Sequence, residues 1–288
     1  MKHQRAVAPG EGPATGLPAM AITIWGARGS VPAPGPGQAI FGGNTPCVEL
    51  AAGDEVIVID AGTGIVPLGQ ALIDRRVKRI HLLLSHLHHD HTAGLPFFAP
   101  LFDLSVEIIV YCGMLEGTSA RDALDEVFRP PYFPLRFSAM APQVRHVGFT
   151  SGESLRIGDL GIATTPLNHP GGATAFRFER AGRSFVYATD VENLSATPDP
   201  AMVDFVRGAD LLIYDTMLDA AAAAACEGWG HSTWEGGVTL ADAAGVKVLA
   251  GFHHHPLFDD ARLTALEKAM QQRRPESYLC REGQVIAV

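Results

Sequence analysis

Charged side chains are scarce in this chain. They make up 18% of its 288 residues, against roughly a quarter in an average domain. Basic residues are the scarcer kind: 22 Lys and Arg face 31 Asp and Glu, for a formal net charge of −9. Gripping a nucleic-acid backbone takes clustered cations that neutralise phosphates, so the composition argues against a stable nucleic-acid partner. Cysteine is sparse too. Cys47, Cys112, Cys226 and Cys280 stand far apart with no Cys-x-x-Cys pair, which argues against a zinc ribbon and a thioredoxin-type redox site. Buried or free thiols in a reducing compartment fit that usage, and a cytoplasmic location is expected. No stretch offers the ~18 unbroken apolar residues of a membrane span, and the first twenty lack the apolar centre of a secretory signal. What the chain does have is apolar bulk. Hydrophobic residues reach 47%, with 31 Gly and 20 Pro, the composition of a well-filled core cut by many turns.

Residues 1–20, rich in Ala, Pro and Gly, read as a flexible tail, and 21–288 as one domain. Strands are expected at 22–25, 47–50, 56–59, 80–84 and 106–111, and again at 162–165, 175–179, 184–188, 211–214 and 246–250. Helices are expected at 116–128, 220–225, 233–244 and 260–272. Ser232 or Thr233 caps the third of these and Gly245 stops it. Strands come in runs in both halves, and helices interrupt them. That order predicts two sheets packed face to face with helices outside, a four-layer αββα sandwich of the α/β class.

The chemistry concentrates in Ser85-His86-Leu87-His88-His89-Asp90-His91, directly after the apolar run at 80–84. A strand buried on both faces delivers its C-terminal loop to a crevice at the sheet edge. Imidazole lone pairs with a hard carboxylate suit Zn²⁺ and similar divalent ions. His86 and His88, two apart in extended chain, can point the same way, and Asp90 with His91 can face a second ion. A two-metal site needs further donors, and three later strand ends supply them: His169, Asp190 and the run His253-His254-His255.

This set resembles the metallo-β-lactamase superfamily over nearly all of the chain from Ile22 onward. His86-x-His88-x-Asp90-His91 matches its signature, and His169, Asp190 and one histidine of the 253–255 run match its later ligand motifs in order. The resemblance implies the metallo-β-lactamase fold. It also implies that one metal takes His86, His88 and His169, a second takes Asp90, His91 and His253, and Asp190 bridges them. The family's strand-end pattern selects His253 as the last ligand. His254 is the alternative, or a hydrogen-bond partner behind the ligands, and His255 lies at the rim. Asp60, in Asp60-Ala61-Gly62-Thr63-Gly64, matches the family's first motif, where the carboxylate hydrogen-bonds the signature loop. The implied cofactors are two divalent ions, zinc first, with Mn²⁺ or Fe²⁺ as alternatives because an O/N-rich set discriminates weakly.

Gly228-Trp229-Gly230-His231-Ser232-Thr233 resembles the phosphodiesterase branch of that superfamily, which includes transfer-RNA 3′-processing nucleases and cyclic-nucleotide phosphodiesterases. There the histidine reaches the site beside the metals, where it can bind a phosphoryl oxygen or protonate a leaving alkoxide. Gly26-Ala27-Arg28-Gly29-Ser30 and Gly42-Gly43-Asn44-Thr45-Pro46-Cys47 look like loops of small-phosphodiester members. Arg28 and Asn44 are thus candidate substrate contacts, with a structural role for Arg28 as the alternative. Tyr132, in Pro130-Pro131-Tyr132-Phe133-Pro134, is either a stiff rim for a stacking base or plain packing. Antibiotic-hydrolysing members place Cys where Asp190 stands, which weakens that reading alone. The segment 116–145 carries balanced charge and no basic arm for RNA. The implied function is a dinuclear metal-dependent phosphodiesterase acting on small, cyclic-nucleotide-type diesters. A metal-bridging hydroxide attacks, Asp90 orients the water and takes its proton, and His231 assists the leaving group. The alternatives are a lactonase- or thioesterase-type carboxyl-ester hydrolase of the same fold, or a non-hydrolytic diiron redox protein. No membrane partner is expected, and homodimerisation is left open.

Overall fold

Fourteen strands form two seven-stranded mixed sheets in a computed structural model that describes residues 18–113, 117–195 and 197–288. The first sheet holds β1 (Ala21–Gly26), β2 (Cys47–Ala52), β3 (Glu55–Ile59), β4 (Arg79–Leu84), β5 (Glu107–Cys112) and β6 (Arg145–Gly148). The second holds β7 (Ser154–Ile157), β8 (Leu160–Leu167), β9 (Ala173–Arg180), β10 (Arg183–Ala188), β11 (Leu211–Asp215), β12 (Val248–Phe252) and β13 (Ser277–Leu279). A last strand, β14 (Val285–Ala287), crosses back to pair with β1 at the edge of the first sheet. Among the described residues eight α-helices accompany them: α1 (Ile65–Asp74), α2 (His89–Thr92), α3 (Ala120–Val127), α4 (Phe137–Met140), α5 (Pro200–Val206), α6 (Ala220–Ala223), α7 (Trp234–Ala244) and α8 (Asp260–Arg273). Strands β3 to β6 pair parallel in succession, and so do β10 to β13. Each parallel set therefore ends its strands at one edge, where a site can collect.

Three apolar layers hold this sandwich. Ile22, Ile24, Leu50, Ile57, Ile59 and Leu83 of the first sheet meet Phe176, Phe178, Phe185, Tyr187 and Phe252 of the second. The alternate residues Val58, Ile80 and Leu82 face outward onto Ile65, Leu68 and Leu72 of α1. On the far side Val186, Leu212 and Leu249 pack under α5, α7 and α8 through Met202, Val238 and Met270. The period of two within each strand thus feeds two cores at once. The architecture is the four-layer αββα sandwich that the pattern of elements predicts.

Several boundaries differ from the expected ones for local reasons. Met20 belongs to the fold, not to a tail: it is fully buried and exchanges backbone hydrogen bonds with Val288 at 3.0 and 2.9 Å. Residues 1–17, and residue 116 at the start of the expected 116–128 helix, lie outside the described residues. That helix begins at Ala120, because the Ser119 hydroxyl accepts from Asp122 N at 3.1 Å and caps it there. The alanine run yields only the four residues of α6, capped by Asp219. Helix α7 has the expected cap and stop, with Thr233 accepting from Gly236 N and Gly245 left-handed at φ 64°. Its exit turn runs on through Val246 and Lys247, so β12 starts at Val248 and ends immediately before His253. Among the described residues no helix is long and apolar enough to cross a membrane.

Candidate metal centre

Four strand ends and the turn after β8 converge at one edge of the sandwich. Asp60 follows β3, the His86–His91 loop follows β4, His169 follows β8, Asp190 follows β10 and His253 follows β12. Asp60, Asp190 and His253 all take left-handed backbone, with φ of 62°, 58° and 60°. Asp, Asn and His tolerate that region better than most side chains. The sharp exit from each strand turns these three side chains inward, and Gly29 lies against the last of them. A Cβ on Gly29 would stand 2.4 Å from His253 Nδ1.

Asp60 organises the loop from behind. Its Oδ1 accepts from Ser85 N at 2.8 Å, and its Oδ2 accepts from Ser85 Oγ at 2.9 Å and from Tyr187 Oη at 2.7 Å. Tyr187 comes from the other sheet, so this fully buried carboxylate ties the two halves together. It also receives His91 Nδ1 at 2.8 Å, which leaves His91 Nε2 as the lone pair facing the cleft. Asp60→Ala would strand these buried donors at about 1–3 kcal/mol each. We expect a loss of about 3–5 kcal/mol in urea unfolding, the scale of breaking a buried charged network. A change below about 1 kcal/mol would contradict that role.

In front of Asp60 the donors fall into two groups, and a third, of Asp190, Asp215, His231 and His253, overlaps the second. His86, His88 and His169 bring one nitrogen each to within 4.8 Å of one another, and so do the donor atoms of Asp90, His91, Asp190 and His253. Asp190 touches both groups. Its Oδ2 lies 3.2 Å from His91 Nε2, and its Oδ1 lies 3.3, 3.8 and 3.9 Å from the Nε2 atoms of His253, His169 and His86. Buried lone pairs aimed at one another without a cation repel, and His86 Nε2 and His91 Nε2 are buried with no hydrogen-bond partner among the described residues. The protonation pattern shows the same demand for positive charge. Burial pushes His86, His88 and His169 down, which keeps them neutral as ligands must be. Burial also opposes charge on His253, but Asp190 and Asp90 carry it up to about 9. Burial opposes ionisation of Asp190, yet the facing His253 and His91 hold its carboxyl well below the usual range. Five imidazoles and two carboxylates in this arrangement fit a pair of borderline divalent ions.

His231 stands beside these groups, stacked 4.9 Å from the His253 ring and edge-on to the His169 ring at 5.6 Å. Its Nδ1 is bound at 2.8 Å by Asp215 Oδ2, so Nε2 is the nitrogen left to meet a substrate. Asp215 is a functional residue that reading the sequence missed. It ends β11 and also accepts from Asp190 N at 3.1 Å and Ser232 N at 3.3 Å. Its signal was its place at the end of a buried parallel strand, the same place that Asp60 and Asp190 occupy.

Other candidates lie elsewhere. Arg28 is 1% exposed, and its guanidinium donates to the carbonyls of Gly42, His255 and Phe258 at 2.7 to 3.1 Å. It fastens loops beneath the site and presents nothing to a substrate. Asn44 is spent likewise, donating to Glu282 at 3.1 Å and accepting from Thr63 at 3.0 Å. His254 turns away from the ligands: its Nε2 donates to the Cys280 carbonyl at 2.8 Å, and burial pushes it down to about 3. Of the histidine run only His253 enters the centre, and His255 stacks on Phe258. His89 and Tyr132 line a cleft on the His88 side.

Comparison with known proteins agrees with this geometry. The profile of the beta-lactamase superfamily domain matches residues 55–254. The ribonuclease Z of Thermoplasma volcanium is 37% identical over 90 residues, which cover 29% of this chain and 28% of that protein. The chain thus spans less than a third of the length of that curated relative. The metallo-β-lactamase fold protein YhfI from Bacillus subtilis superposes with a TM-score of 0.70 at 18% identity, over 93% of this chain and 99% of that one. A diphosphatase from the PhnP family superposes at 0.67 and 18%, over 93% and 98%. At such identities the structural likeness speaks for the fold, while the profile speaks for descent. The chain belongs to the beta-lactamase superfamily and has the metallo-β-lactamase fold.

Proposed function

We propose that this chain is a dinuclear phosphodiesterase acting on small nucleotide-type diesters, cyclic ones included. His86, His88 and His169 would hold one ion, Asp90, His91 and His253 the other, with Asp190 between them and zinc the first choice. Two such ions supply Lewis acidity to phosphoryl oxygens and lower the pKa of a water towards ~7. The chain's own groups do the rest. Asp90, fixed by Ser30 N at 2.8 Å, orients the attacking water and takes its proton. His231, oriented by Asp215, donates from Nε2 to the departing oxygen.

The observation that carries this reading is the His231–Asp215 pair, outside the seven donors yet with its imidazole stacked on His253 and edge-on to His169. A thioester, whose thiolate leaves readily, has little use for such a proton donor, whereas a ribose alkoxide needs one; a lactone also releases an alkoxide, and the assay below separates it. The small size of the substrate is supported by the walls. The cleft beside His88 carries one Lys or Arg among the described residues, Arg129, already paired with Glu126 at 2.8 Å. The hollow beyond Asn168 is lined by Glu192 and Glu227. Neither attracts a long polyanion. The ribonuclease Z match favours a second reading, cleavage of RNA, which the same assay separates.

Metal-loaded protein is to be offered bis(p-nitrophenyl) phosphate, cyclic nucleotides, a phosphomonoester, a lactone and a precursor transfer RNA. Diesters and cyclic nucleotides should be turned over, and the monoester, with its additional charge, much less. Faster turnover of the lactone would sink the phosphodiesterase reading, and selective 3′ cleavage of the transfer RNA would replace the small substrate with RNA.

A further inference from the structure

The cleft beside His88 measures about 770 Å³, far more than a phosphate needs. Its floor is the signature loop with Gly171 and Gly172, both left-handed at φ 80° and 79°. Its outer wall is the end of α3 and the segment after it. There Glu126 grips Arg129 at 2.8 Å, and the Arg129 guanidinium lies 5.1 Å from the centre of the Tyr132 ring. Phe133, next in sequence, packs inward against Phe128. Tyr132 points the other way and is 77% exposed. One face of its ring is backed by a cation and the other is bare. A large aromatic side chain held on a charged support and left uncovered is a poor core residue and a good platform for a flat ring.

The cleft also has a definite side. His231 stacks on His253 and meets His169 edge-on, and neither it nor those two rings line this cleft, whereas His86 and His88 do. In an in-line displacement the leaving oxygen lies opposite the attacking one, and the other ester substituent stays on phosphorus at the side. If the leaving oxygen meets His231, the cleft across His88 takes the substituent that is kept.

Resting on the phosphodiesterase reading, we infer that the enzyme recognises the group retained on phosphorus, a nucleoside whose base stacks on Tyr132, and is indifferent to the alcohol that departs. The attacking water forms the new P–O bond, the P–O bond to the departing oxygen breaks as His231 supplies its proton, and the product held in the cleft is a nucleoside monophosphate; in a cyclic diester the departing oxygen belongs to the same ribose.

Two diesters with one leaving group test this: thymidine 5′-(p-nitrophenyl phosphate) and methyl p-nitrophenyl phosphate. The thymidine ester should be preferred in kcat/KM by about 5- to 150-fold, the range that one stacked base supplies, with the difference in KM. Tyr132→Ala should erase most of that preference, and Tyr132→Trp should keep it. Because Tyr132 is exposed, neither change should move the unfolding midpoint. Binding of thymidine 5′-monophosphate and of methyl phosphate to the metal-loaded protein, read by calorimetry, gives the same ratio without turnover. Equal treatment of the two diesters, or a preference that survives in Tyr132→Ala, overturns the inference. If neither diester is cleaved, the binding ratio still decides it: a ratio lost in Tyr132→Ala sustains the nucleotide cleft while the phosphodiesterase reading falls, and a ratio near one ends both.

Discussion

His231→Ala should lower kcat on a ribose phosphodiester by about 10²–10⁴, the contribution of a positioned general acid, while the protein keeps its full complement of metal. The separation follows from the geometry. His231 spends Nδ1 on Asp215, stacks on His253 and meets His169 edge-on, without entering either of the groups to which the ligands are assigned. Its loss should shrink on p-nitrophenyl esters, whose leaving oxygen needs little protonation, and stay large on an alkoxide. Equal losses on both would mean that His231 acts by binding the phosphoryl group. Metal loss, measured on the same sample, would move His231 among the ligands. Asp215→Asn removes the acceptor that orients the ring, so its kinetic defect should follow the same leaving-group trend at smaller size.

Asp190→Asn should reduce bound metal to one ion per chain or fewer and lower kcat/KM by about 10³ or more, since several kcal/mol of charge stabilisation are at stake. The substitution isolates charge from shape. Asn adopts left-handed backbone as readily as Asp, so the turn at φ 58° should survive. What goes is the one carboxylate, among the described residues, within 4 Å of all of His86, His91, His169 and His253. Stability should report the same event. Metal at a thousand times its dissociation constant contributes about 4 kcal/mol to the folded state. Chelation of the wild type should then lower Tm by about 8–16 °C at 2–4 °C per kcal/mol, and Asp190→Asn should respond far less. Two tightly bound ions in Asp190→Asn would show that Asp190 is not the shared ligand.

The parts of the molecule legible in the sequence are those where one physical signal dominates. Apolar runs such as 80–84 and 211–214 fix buried strands whatever surrounds them, and histidines at strand ends have no packing rationale. Helix α1 went unread because Pro67 and Gly69 interrupt it. Pro67 sits in the first turn, where its missing N–H costs nothing. Gly69 is there for contact, since a Cβ would stand 2.9 Å from Phe98. The short edge strands β6, β7, β13 and β14 carry too few residues for periodicity to show. Arg28 looked available because an arginine in a glycine loop usually is, and its three carbonyl partners come from segments more than 10 and more than 200 residues away in sequence. Asp215 was hidden by its neighbours. At the end of an unbroken apolar strand it reads as a terminus, until the fold sets His231 in front of it.

The left-to-right order of the donors along the chain also has a consequence for assembly. His86, His88, Asp90 and His91 leave the ribosome together, while Asp190 and His253 come from the opposite sheet, and β14 then returns to pair with β1. At about 5–20 residues per second, roughly 10–30 s separate synthesis of the signature loop from that of His253. Over that interval the four donors of the loop exist before the full set of seven is complete. A loop offering four of seven donors binds by intrinsic affinity alone, and on that scale copper outranks zinc. The finished site can impose its own geometry on the ions only after the second sheet has closed over the first. An ion taken up during that interval would be chosen by the donors of the nascent loop alone, before the finished arrangement exists.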